Sequence, residues 1–433
     1  MNLSDVNLNS FLKLGYFIER NESYHPIDFS RIDRARYTNL RHAELLEIGK
    51  ARLNESFDQL FDASRTHVVP ISGGLDSRLI LGALLERTEA SKIHTYTYGV
   101  PGAYDYELGG VVAKRAGTRH VAWPLNQLSY HADDELAFAE RSGRRCLLFH
   151  HPPMWQLERL YGGFVLWSGY VGDAVAGSWT YEDPSPTLEE AKRRHLQRRT
   201  YVRSTRLHRL EDEALLPYVS ALQLPAGTIT HDEAVLFAEA VPKFTEPHVL
   251  IRGLEYVKPL INGPWMDFMF SVPMEHRVHQ RLMKDIAAAM FPDLFSLPSR
   301  NSLGLRPGAS KLQRDAVFYG NRVRKLLHQF VPSVVHPYVL YNDFNEAIRS
   351  SPDLQQIVKD SLEALWRRGI VSWLDMDALF KRHVRRLRNH GDALIILASL
   401  EFVLKSEEAH LARHTSERAA HSGAGPENQI ESA

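Results

Sequence analysis

The chain has 433 residues and carries 52 basic and 52 acidic side chains, which gives a formal net charge of zero. A chain of this length buries a large core, so it is neither a disulfide-stapled mini-protein nor an intrinsically disordered chain. The only cysteine, Cys146, excludes a disulfide framework and any cysteine-based zinc or iron–sulfur site. No apolar run approaches the roughly 20 residues of a membrane span, and the first ten residues are unlike a secretory signal. These observations predict a cytoplasmic protein with no membrane partner.

The first 60 residues predict a short helical approach, in which apolar side chains recur at helical spacing over residues 43–60. From residue 67 onward, short β-rich runs alternate with helical patterns. We expect strands and helices in alternation, with strands at residues 67–71, 93–98, 120–123 and 163–167 and helices at residues 77–85 and 106–115. Alternation of this kind predicts a parallel α/β sheet with right-handed crossovers.

From about residue 184 onward the sequence is helical in character. An arginine-rich run over residues 192–209 has the composition of an RNA-binding segment, but acids at both of its ends favour a solvated helix face. The even charge balance also argues against a nucleic-acid partner. Residues 415–433 contain few large apolar side chains and are predicted to be disordered.

The most informative stretch is the glycine loop after the first predicted strand, Ser72-Gly-Gly-Leu-Asp-Ser77. Gly73 and Gly74 let a phosphate approach the backbone closely, and the free N–H groups of the following helix favour an anion. The two serine hydroxyls add donors. Asp76 is an acid at a phosphate site, which makes sense only if a Mg²⁺ ion lies between it and the phosphate oxygens. The loop has neither the Walker spacing nor the dinucleotide-binding glycine pattern.

This loop resembles the signature of the N-type ATP pyrophosphatases, which hold the pyrophosphate cleaved between the α and β phosphates of ATP. Further motifs resemble those of the asparagine synthetase and β-lactam synthetase family. They are the loop after the second strand, the S-G-x-G-x-D motif and the V-E-x-R-x-P-F-L-D segment, at Thr97–Asp105, Ser168–Asp173 and Leu254–Asn262. The resemblance covers about residues 57–304. It implies an α/β fold with a parallel-sheet adenine-nucleotide α-hydrolase-like (PP-loop) core and a helical C-terminal extension.

By this resemblance the cofactors are ATP and Mg²⁺, and the carboxylates of Asp76 and Asp173 hold the metal on the phosphates. Both acids follow strands at the carboxyl edge of the predicted sheet, where open α/β folds bind ligands. Tyr98 and Gly169 match backbone positions that face the adenine. In the implied reaction a substrate carboxylate attacks the α-phosphorus, pyrophosphate leaves, and an amine attacks the acyl-adenylate. Positioning and charge neutralisation do most of the work in such a transfer.

The chain departs from the glutamine-hydrolysing members of the family in its N-terminal part. Those members carry a whole N-terminal glutaminase domain, whose nucleophile is a cysteine directly after the initiator Met. Here that position is Asn2, and residues 1–60 are too few for such a domain. We therefore expect no glutamine hydrolysis, so the amine comes from free ammonia, from another subunit or from the substrate itself.

Tyr170 occupies the variable position of the S-G-x-G-x-D motif. Asparagine synthetases have Glu there, whereas β-lactam synthetases have a Tyr that helps to deprotonate an amine within the substrate. A tyrosine has a reference pKa of about 10, so a role as a base requires a partner. Glu211 and Glu213 are the candidates by sequence distance. The alternative is that Tyr170 only lines the pocket.

The family also has two lysines on the pyrophosphate side, and here their positions fall on Gln280 and Arg300. Arg300 can clamp pyrophosphate through its forked guanidinium, although Arg and Lys are not interchangeable as proton donors. Lys284, one helical turn after Gln280, is a candidate substitute in space. Glu255 stands in an otherwise apolar segment and is interpreted either as a wall of the catalytic site or as half of a structural ion pair.

We therefore predict an ATP-dependent, AMP- and pyrophosphate-forming amide synthetase that joins a small carboxylate, amino-acid-like or peptide, to an amine. Intramolecular closure is one option. The synthetase domain is predicted over residues 61–414, with a nucleotide-binding core at about 67–180 and a helical acceptor region at about 181–414. Two alternatives stay open: an RNA-modifying PP-loop ATPase that adenylates a base, and a non-catalytic ATP-binding subunit of a biosynthetic complex. The expected partners are the two substrates, with a separate amine-supplying protein and a homodimer as open options.

Overall fold

The architecture is a parallel sheet surrounded by helices, and the computed structural model describes residues 3–328, 331 and 334–422. The sheet has five strands, and every pairing between them is parallel, in the order β3-β2-β1-β4-β5. The strands are β1 (His67–Pro70), β2 (Ile93–Gly99), β3 (Arg119–Pro124), β4 (Val165–Trp167) and β5 (Glu255–Val257). The predicted parallel α/β sheet is therefore confirmed.

Strand order decides where a ligand can bind. The chain adds β2 and β3 on one side of β1 and then returns to place β4 on the other side. The strand order thus reverses next to β1, and a crevice opens at such a switch point above the carboxyl ends of the strands. The fifth strand was not predicted, because its three residues form a short edge strand that pairs only with β4.

The helices before and within the sheet region follow the predicted alternation. Their bounds are α1 (Asp5–Leu14), α2 (His42–Asp58), α3 (Asp76–Leu85), α4 (Tyr104–Ala116), α5 (Ala132–Arg141), α6 (Met154–Tyr161) and α7 (Gly172–Ala176). The last of these is a single turn. It begins after Val171, whose backbone is left-handed at φ 46°, and ends at Gly177 with φ 103°. The first departure from ordinary helix geometry lies within the S-G-x-G-x-D motif, and the second follows it by four residues.

The remainder of the described chain is helical apart from β5, as predicted. The helices are α8 (Leu188–Arg198), α9 (Asp212–Leu215), α10 (His231–Ala238), α11 (Glu246–Val249), α12 (Gly263–Ser271), α13 (Met274–Arg277), α14 (Arg281–Met290), α15 (Pro292–Phe295), α16 (Lys311–His328), α17 (Phe344–Ser350), α18 (Pro352–Arg368), α19 (Met376–Val384) and α20 (Gly391–Ser422). A π-helical turn, Val241–Thr245, leads directly into α11. Helix α20 continues eight residues into the segment predicted to be disordered, and residues 423–433 of that segment lie outside the described residues.

One hydrophobic core joins the sheet to the helices on one of its faces. Phe57 of α2 stacks on Trp167 of β4, with ring centroids 5.4 Å apart. Helix α2 also packs against α12 and α14, although these helices lie about 200 residues later in the chain. The N-terminal segment is therefore part of the packed core that supports the sheet. In the described part of the chain, no helix is both long enough and apolar enough to cross a membrane.

The contact of α2 with α12 and α14 depends on Gly49. A Cβ atom at this position would lie 2.3 Å from Cδ1 of Ile286 and 2.9 Å from Cε1 of Phe268. We expect Gly49→Ala to lower the free energy of unfolding by about 1–3 kcal/mol, since overpacking a well-filled core outweighs the better helix propensity of alanine. Chemical denaturation measures this change.

The matched control for Gly49 is Gly320 in α16, where nothing lies within 4 Å of an added Cβ. We expect Gly320→Ala to stabilise the protein by up to about 1 kcal/mol, because alanine is the better helix former and meets no neighbour. Equal changes in the free energy of unfolding for the two variants would show that α2 can shift to accommodate a Cβ atom on residue 49.

Candidate active site

The glycine loop lies at the carboxyl end of β1, where the strand ends at Pro70 and α3 begins at Asp76. Its first glycine packs against the start of α4. A Cβ atom on Gly73 would lie 2.9 Å from the carbonyl oxygen of Tyr104 and 3.2 Å from Oδ1 of Asp105, so a larger residue would push the two elements apart. The backbone N–H of Gly74 donates to Oγ of Ser72 at 3.2 Å. The loop is thus a tight strand-to-helix turn with its glycine backbone facing the crevice.

The structure brings Asp76 and Asp173 together, as the sequence predicted for a metal site. Asp76 opens α3 and accepts a hydrogen bond from the backbone N–H of Asp173 in α7. Gly169 packs against Asp76, since a Cβ there would come within 3.2 Å of the Cβ of Asp76. The Asp173 carboxylate is oriented by two donors, Oγ of Ser178 at 2.9 Å and Nε1 of Trp179 at 3.3 Å. Oriented acids from two neighbouring strands therefore face the same space.

The electrostatics of this acid pair favour a bound cation. Burial, and then the nearby Asp173 carboxylate, raise the pKa of Asp76 to about 8, although Arg300 opposes the shift. Among the described residues, no three His, Cys, Asp or Glu side chains are grouped to hold a metal ion by themselves. Mg²⁺ is often held by one or two carboxylates together with substrate phosphates, so the residues present fit a nucleotide-bound Mg²⁺ ion.

This pKa shift gives an expected pH dependence. The folded protein keeps a proton on Asp76 that the unfolded chain loses above its ordinary value of 3.8. Its contribution to stability therefore falls as the pH rises from about 4 to about 8 in metal-free protein. We expect MgCl₂ to raise the melting temperature more at pH 8.5 than at pH 5.5, because the metal competes with the proton. Thermal melts with EDTA and with MgCl₂ at both pH values measure this, and Asp76→Asn should remove the pH dependence of the magnesium effect.

Arg300 lies at the glycine loop, as predicted. Its backbone N–H donates to the carbonyl of Gly73 at 3.0 Å, and its Nη1 lies 2.6 Å from Oδ2 of Asp105. The other carboxylate oxygen of Asp105 is buried without a hydrogen-bond partner. Asp105 closes the Thr97–Asp105 motif, and the sequence analysis assigned it no role. The ion pair holds a forked cation beside the phosphate-binding loop.

A buried arginine that the sequence analysis did not consider supports the same loop. Arg78 in α3 is fully buried and has backbone carbonyls as its hydrogen-bond acceptors, including those of Leu297 at 3.2 Å and Gly73 at 3.5 Å. Burial lowers the pKa of Arg78 to about 10, so the guanidinium stays charged at neutral pH. It therefore ties the glycine loop to the segment that leads into Arg300.

Tyr98 lies at the end of β2, next to the glycine loop. Its ring is covered by Tyr341, which is distant in the sequence. The rings of Tyr98 and Tyr341 are stacked with centroids 5.9 Å apart. The backbone of Tyr341 is left-handed, with φ 60°, and its carbonyl oxygen would lie 3.5 Å from a Cβ on Gly99. No local sequence signal identifies Tyr341, because its contact with β2 is made across more than 200 residues.

Tyr170 is buried at the site, but the glutamates that the sequence suggested as its partners lie elsewhere. Glu211 forms an ion pair with Arg206, and Glu213 forms one with Arg193, and both glutamate side chains are about 70% exposed. These two pairings correct the prediction. Both glutamates lie on the surface, Glu211 just before α9 and Glu213 within it, where arginines pair with their charges.

A different glutamate acts on Tyr170. Glu246, at the start of α11, is buried against Arg145 with the two charged groups 3.2 Å apart, and it accepts a hydrogen bond from Oγ of Ser23 at 2.9 Å. Burial, and then the charge of Glu246, raise the pKa of Tyr170 well above its ordinary value, while Arg145 lowers it. The sequence offered no signal for Glu246, because the π-helical turn before it makes its direction unpredictable from spacing.

Gln280 and Lys284, the two residues considered for the first pyrophosphate-side position, differ in what they contact. Gln280 is buried in a left-handed turn that packs against α7, and so against the element that carries Asp173. Lys284 instead donates from Nζ to the carbonyl of His279 at 2.6 Å, which holds the ammonium at the turn. The proposed spatial substitution by Lys284 stays a prediction.

Glu255 lies at the wrong end of the sheet for catalysis. It starts β5, in register with Val165 and His67 at the amino ends of their strands, whereas the glycine loop follows the carboxyl end of β1. Its side chain is 58% exposed and pairs with Arg65 at 2.6 Å. The prediction of a buried catalytic acid is corrected to the other interpretation, a structural ion pair, here at the surface.

A buried ion pair contacts helix α7, which carries Asp173. Nη2 of Arg277 lies 2.8 Å from Oε1 of Glu233, and both side chains are fully buried. The same guanidinium donates to the carbonyl of Val175 at 3.1 Å. A Cβ on Gly177 would lie 2.2 Å from the Arg277 carbonyl oxygen, so the contact requires glycine. One arginine therefore fixes the position of the α7 turn.

Taken together, the parallel sheet, the serine–glycine loop after β1 and the two facing acids define a PP-loop-type adenine-nucleotide-binding α/β core with a helical C-terminal region. Comparison with known proteins narrows this class. Residues 50–216 match the family model described as asparagine synthase. The chain is 30% identical over 134 residues to "Asparagine synthetase [glutamine-hydrolyzing] 3" of Arabidopsis thaliana. Residues 50–216 of the chain are therefore similar to an asparagine synthase domain.

The aligned segment is short relative to both proteins. It covers 28% of this chain and 23% of the Arabidopsis protein, so the chain spans less than a quarter of that relative's length. The match with the family model contains the glycine loop and both acids of the metal site, and it ends before Glu246, Gln280 and Arg300.

Proposed function

We propose that the protein is an ATP-dependent carbon–nitrogen ligase that adenylates a small carboxylate, releases pyrophosphate and transfers the acyl group to an amine. The observation that carries the proposal is the pair of carboxylates, Asp76 and Asp173, that meet beside a glycine loop at the switch point of the sheet. A catalyst of adenylation needs little more than positioned phosphates and neutralised charge, since the substrate carboxylate is itself the nucleophile.

Each element of the site has a part in this reaction. The backbone of the glycine loop cradles the pyrophosphate end of ATP, and Arg300 places a forked cation beside it. Asp76 and Asp173 would hold Mg²⁺, which neutralises charge on the phosphates when it is bound. Asp105 orients Arg300 through their ion pair, so the guanidinium is held near the glycine loop before substrate arrives.

Tyr170 has a defined protonation state in this scheme. Because burial and Glu246 raise its pKa, the phenol stays protonated and donates a hydrogen bond to the acceptor. For Tyr170 to take a proton from an amine within the same substrate, as in the intramolecular option, it would first have to lose its own proton, and the charge of Glu246 opposes that loss. A role as hydrogen-bond donor to the substrate is therefore the one that we propose for Tyr170.

We propose that the amine does not come from glutamine hydrolysis by the cysteine of this chain. Cys146 is fully buried, and burial raises the pKa of its thiol to about 12, so the nucleophilic thiolate is scarce at neutral pH. Free ammonia, an amine within the substrate or a separate amine-supplying protein remain the proposed sources.

An RNA substrate receives less support. In the arginine-rich run, Arg193 pairs with Glu189 and with Glu213, Arg206 pairs with Glu211, and Arg194 pairs with Asp232. Cations already engaged with carboxylates contribute less to phosphate binding than free ones. A salt-dependent mobility shift with transfer RNA would favour the RNA alternative over the ligase.

The direct test is ATP–pyrophosphate exchange with a panel of carboxylic and amino acids. We expect exchange with at least one acid in wild-type protein and none with Asp76→Ala, while Asp133→Ala, a change of an exposed acid in α5, keeps full activity. ATP binding without exchange for any acid would contradict the ligase and favour a non-catalytic ATP-binding subunit.

A further inference from the structure

We infer that a cavity beside the nucleotide site binds the acceptor acid, and that this acid is planar and aromatic. The inference rests on the proposed function, because it assigns the acid that is adenylated. The cavity has a volume of about 590 Å³ and lies between the π-helical turn with α11, residues 336–345 and the start of α20. We call it the aromatic cavity, and its volume is typical of a small-molecule site.

Tyr341 is the wall that the aromatic cavity shares with the nucleotide site. On one side its ring stacks on Tyr98 at the end of β2, at 5.9 Å. Burial, and then Asp105, raise the pKa of its phenol, and Asp173 adds to the effect, which places the ring close to the acids of the phosphate site. On the other side it lines the cavity. A ligand in the cavity therefore lies next to the reacting phosphates.

Aromatic rings form much of the cavity wall, among them those of His150, Tyr201, Tyr341 and Phe344, and the charged side chains of Lys325 and Asp392 also line it. The imidazole of His150 meets Phe344 and Tyr341 edge to face, with centroids 5.2 Å and 5.5 Å apart. Burial lowers the pKa of His150 to about 3, so this ring is neutral, and its Nε2 lies 2.8 Å from the Tyr201 hydroxyl. Neutral rings in this arrangement pack best against the face or edge of another flat ring.

Arg199 supplies the charge that the carboxylate needs. It lines the cavity, and its guanidinium stacks on Trp179 with 4.0 Å between Cζ and the ring centroid. The indole N–H of Trp179 donates to Asp173, so this cation lies at the end of the cavity nearest the metal site. Within the described part of the chain, no carboxylate forms an ion pair with Arg199. A stacked and unpaired guanidinium is suited to hold a carboxylate by two parallel hydrogen bonds.

The acceptor is therefore an arylcarboxylate whose ring occupies the aromatic cavity and whose carboxylate lies between Arg199 and the α-phosphate. Its carboxylate oxygen forms the new bond to the α-phosphorus, and the bond to pyrophosphate breaks, so pyrophosphate leaves with the electron pair. Arg199 acts as a binding residue for the acid, and Tyr341 separates the acid from the adenine side.

Binding can be tested without turnover. Isothermal titration calorimetry of the full chain with benzoate and indole-3-carboxylate, in the absence of ATP, should detect binding, whereas cyclohexanecarboxylate, which has the same charge but no flat ring, should bind at least tenfold more weakly. Arg199→Gln should weaken arylcarboxylate binding about 10–100-fold, as expected for a lost charge-assisted pair. Its matched control is Arg198→Gln, since Arg198 stacks on Tyr181 and does not line the cavity.

Several outcomes separate this inference from the proposed function. If no arylcarboxylate binds while another acid supports ATP–pyrophosphate exchange, the inference is wrong and the ligase stands. If Arg199→Gln weakens ATP and leaves acid binding unchanged, the cavity belongs to the nucleotide, which also overturns the inference. Should Arg199→Gln fail to fold, the cavity-filling change Thr245→Phe replaces it. Loss of arylcarboxylate binding with unchanged ATP binding would support the assignment, and unchanged binding of both would overturn it.

Discussion

Replacing Asp76 by asparagine should lower the rate of ATP–pyrophosphate exchange by about 10²–10³-fold, since it removes one of the two carboxylates proposed to hold the Mg²⁺ ion that neutralises charge on the phosphates. Asparagine keeps the shape and can still accept the N–H of Asp173. The loss is therefore one of charge and of metal affinity. Exchange assays at saturating ATP and acid, over a range of MgCl₂ concentrations, measure it.

The same substitution should stabilise the metal-free protein at pH 8. Asp76 and Asp173 repel each other in the folded state, so removing one charge relieves a cost that the unfolded chain does not carry. An increase in melting temperature together with a loss of activity would be the signature of a strained functional pair. Exchange activity within tenfold of wild type would contradict the assignment of Asp76 to the metal site.

The second large effect is expected at the buried ion pair of Arg277 and Glu233, which contacts α7. Arg277→Met should lower the free energy of unfolding by about 3–5 kcal/mol, because it leaves Glu233 buried without its main counter-charge. Burial alone would raise the pKa of Glu233, and the Arg277 guanidinium is the main group that holds it below its ordinary value. Urea denaturation measures the change in stability.

Two further variants separate the contributions to this effect. Arg34→Met should cost less than about 1 kcal/mol, since Arg34 is partly exposed and lies 3.8 Å from Glu233. The double change of Arg277→Met with Glu233→Gln should recover part of the stability, because the uncompensated charge is gone. Arg277→Met should also lower the rate of ATP–pyrophosphate exchange. The double variant should not recover this rate, because the Val175 carbonyl in α7 still lacks its guanidinium partner. Recovery of both properties would show that α7 does not depend on Arg277.

The sequence was sufficient for the elements whose causes are local. The glycine loop, the strand before it and the helix after it are specified by neighbouring residues, and the facing of Asp76 and Asp173 follows from the geometry of parallel strands. The position of Arg300 also followed from the sequence, because the resemblance to the family gives the spacing of the two pyrophosphate-side positions. These features made the nucleotide side of the site predictable.

The acceptor side could not be predicted, because its contacts join distant parts of the chain. Glu246, whose charge acts on Tyr170, follows a π-helical turn, and Tyr341, which stacks on Tyr98, is itself a left-handed residue in an irregular segment. Glu255 was misplaced because its prediction relied on its immediate neighbours in the sequence. Its apolar neighbours suggested burial, but an edge strand leaves one residue at its start exposed to solvent. Spacing along the sequence carries no information about such contacts.

The π-helical turn at Val241–Thr245 determines the rotational orientation of α11, the helix that directly follows it. A π turn contains one more residue than an α turn, and one residue corresponds to about 100° of rotation along an α-helix. Deleting a single residue there would rotate Glu246 and His248 relative to the helix before them. The charge that acts on Tyr170 and the lining of the aromatic cavity would then shift together, while the glycine loop and its acids stay in place. A one-residue deletion is thus a physical route by which a ligase of this fold can exchange one acceptor for another without changing how it binds ATP.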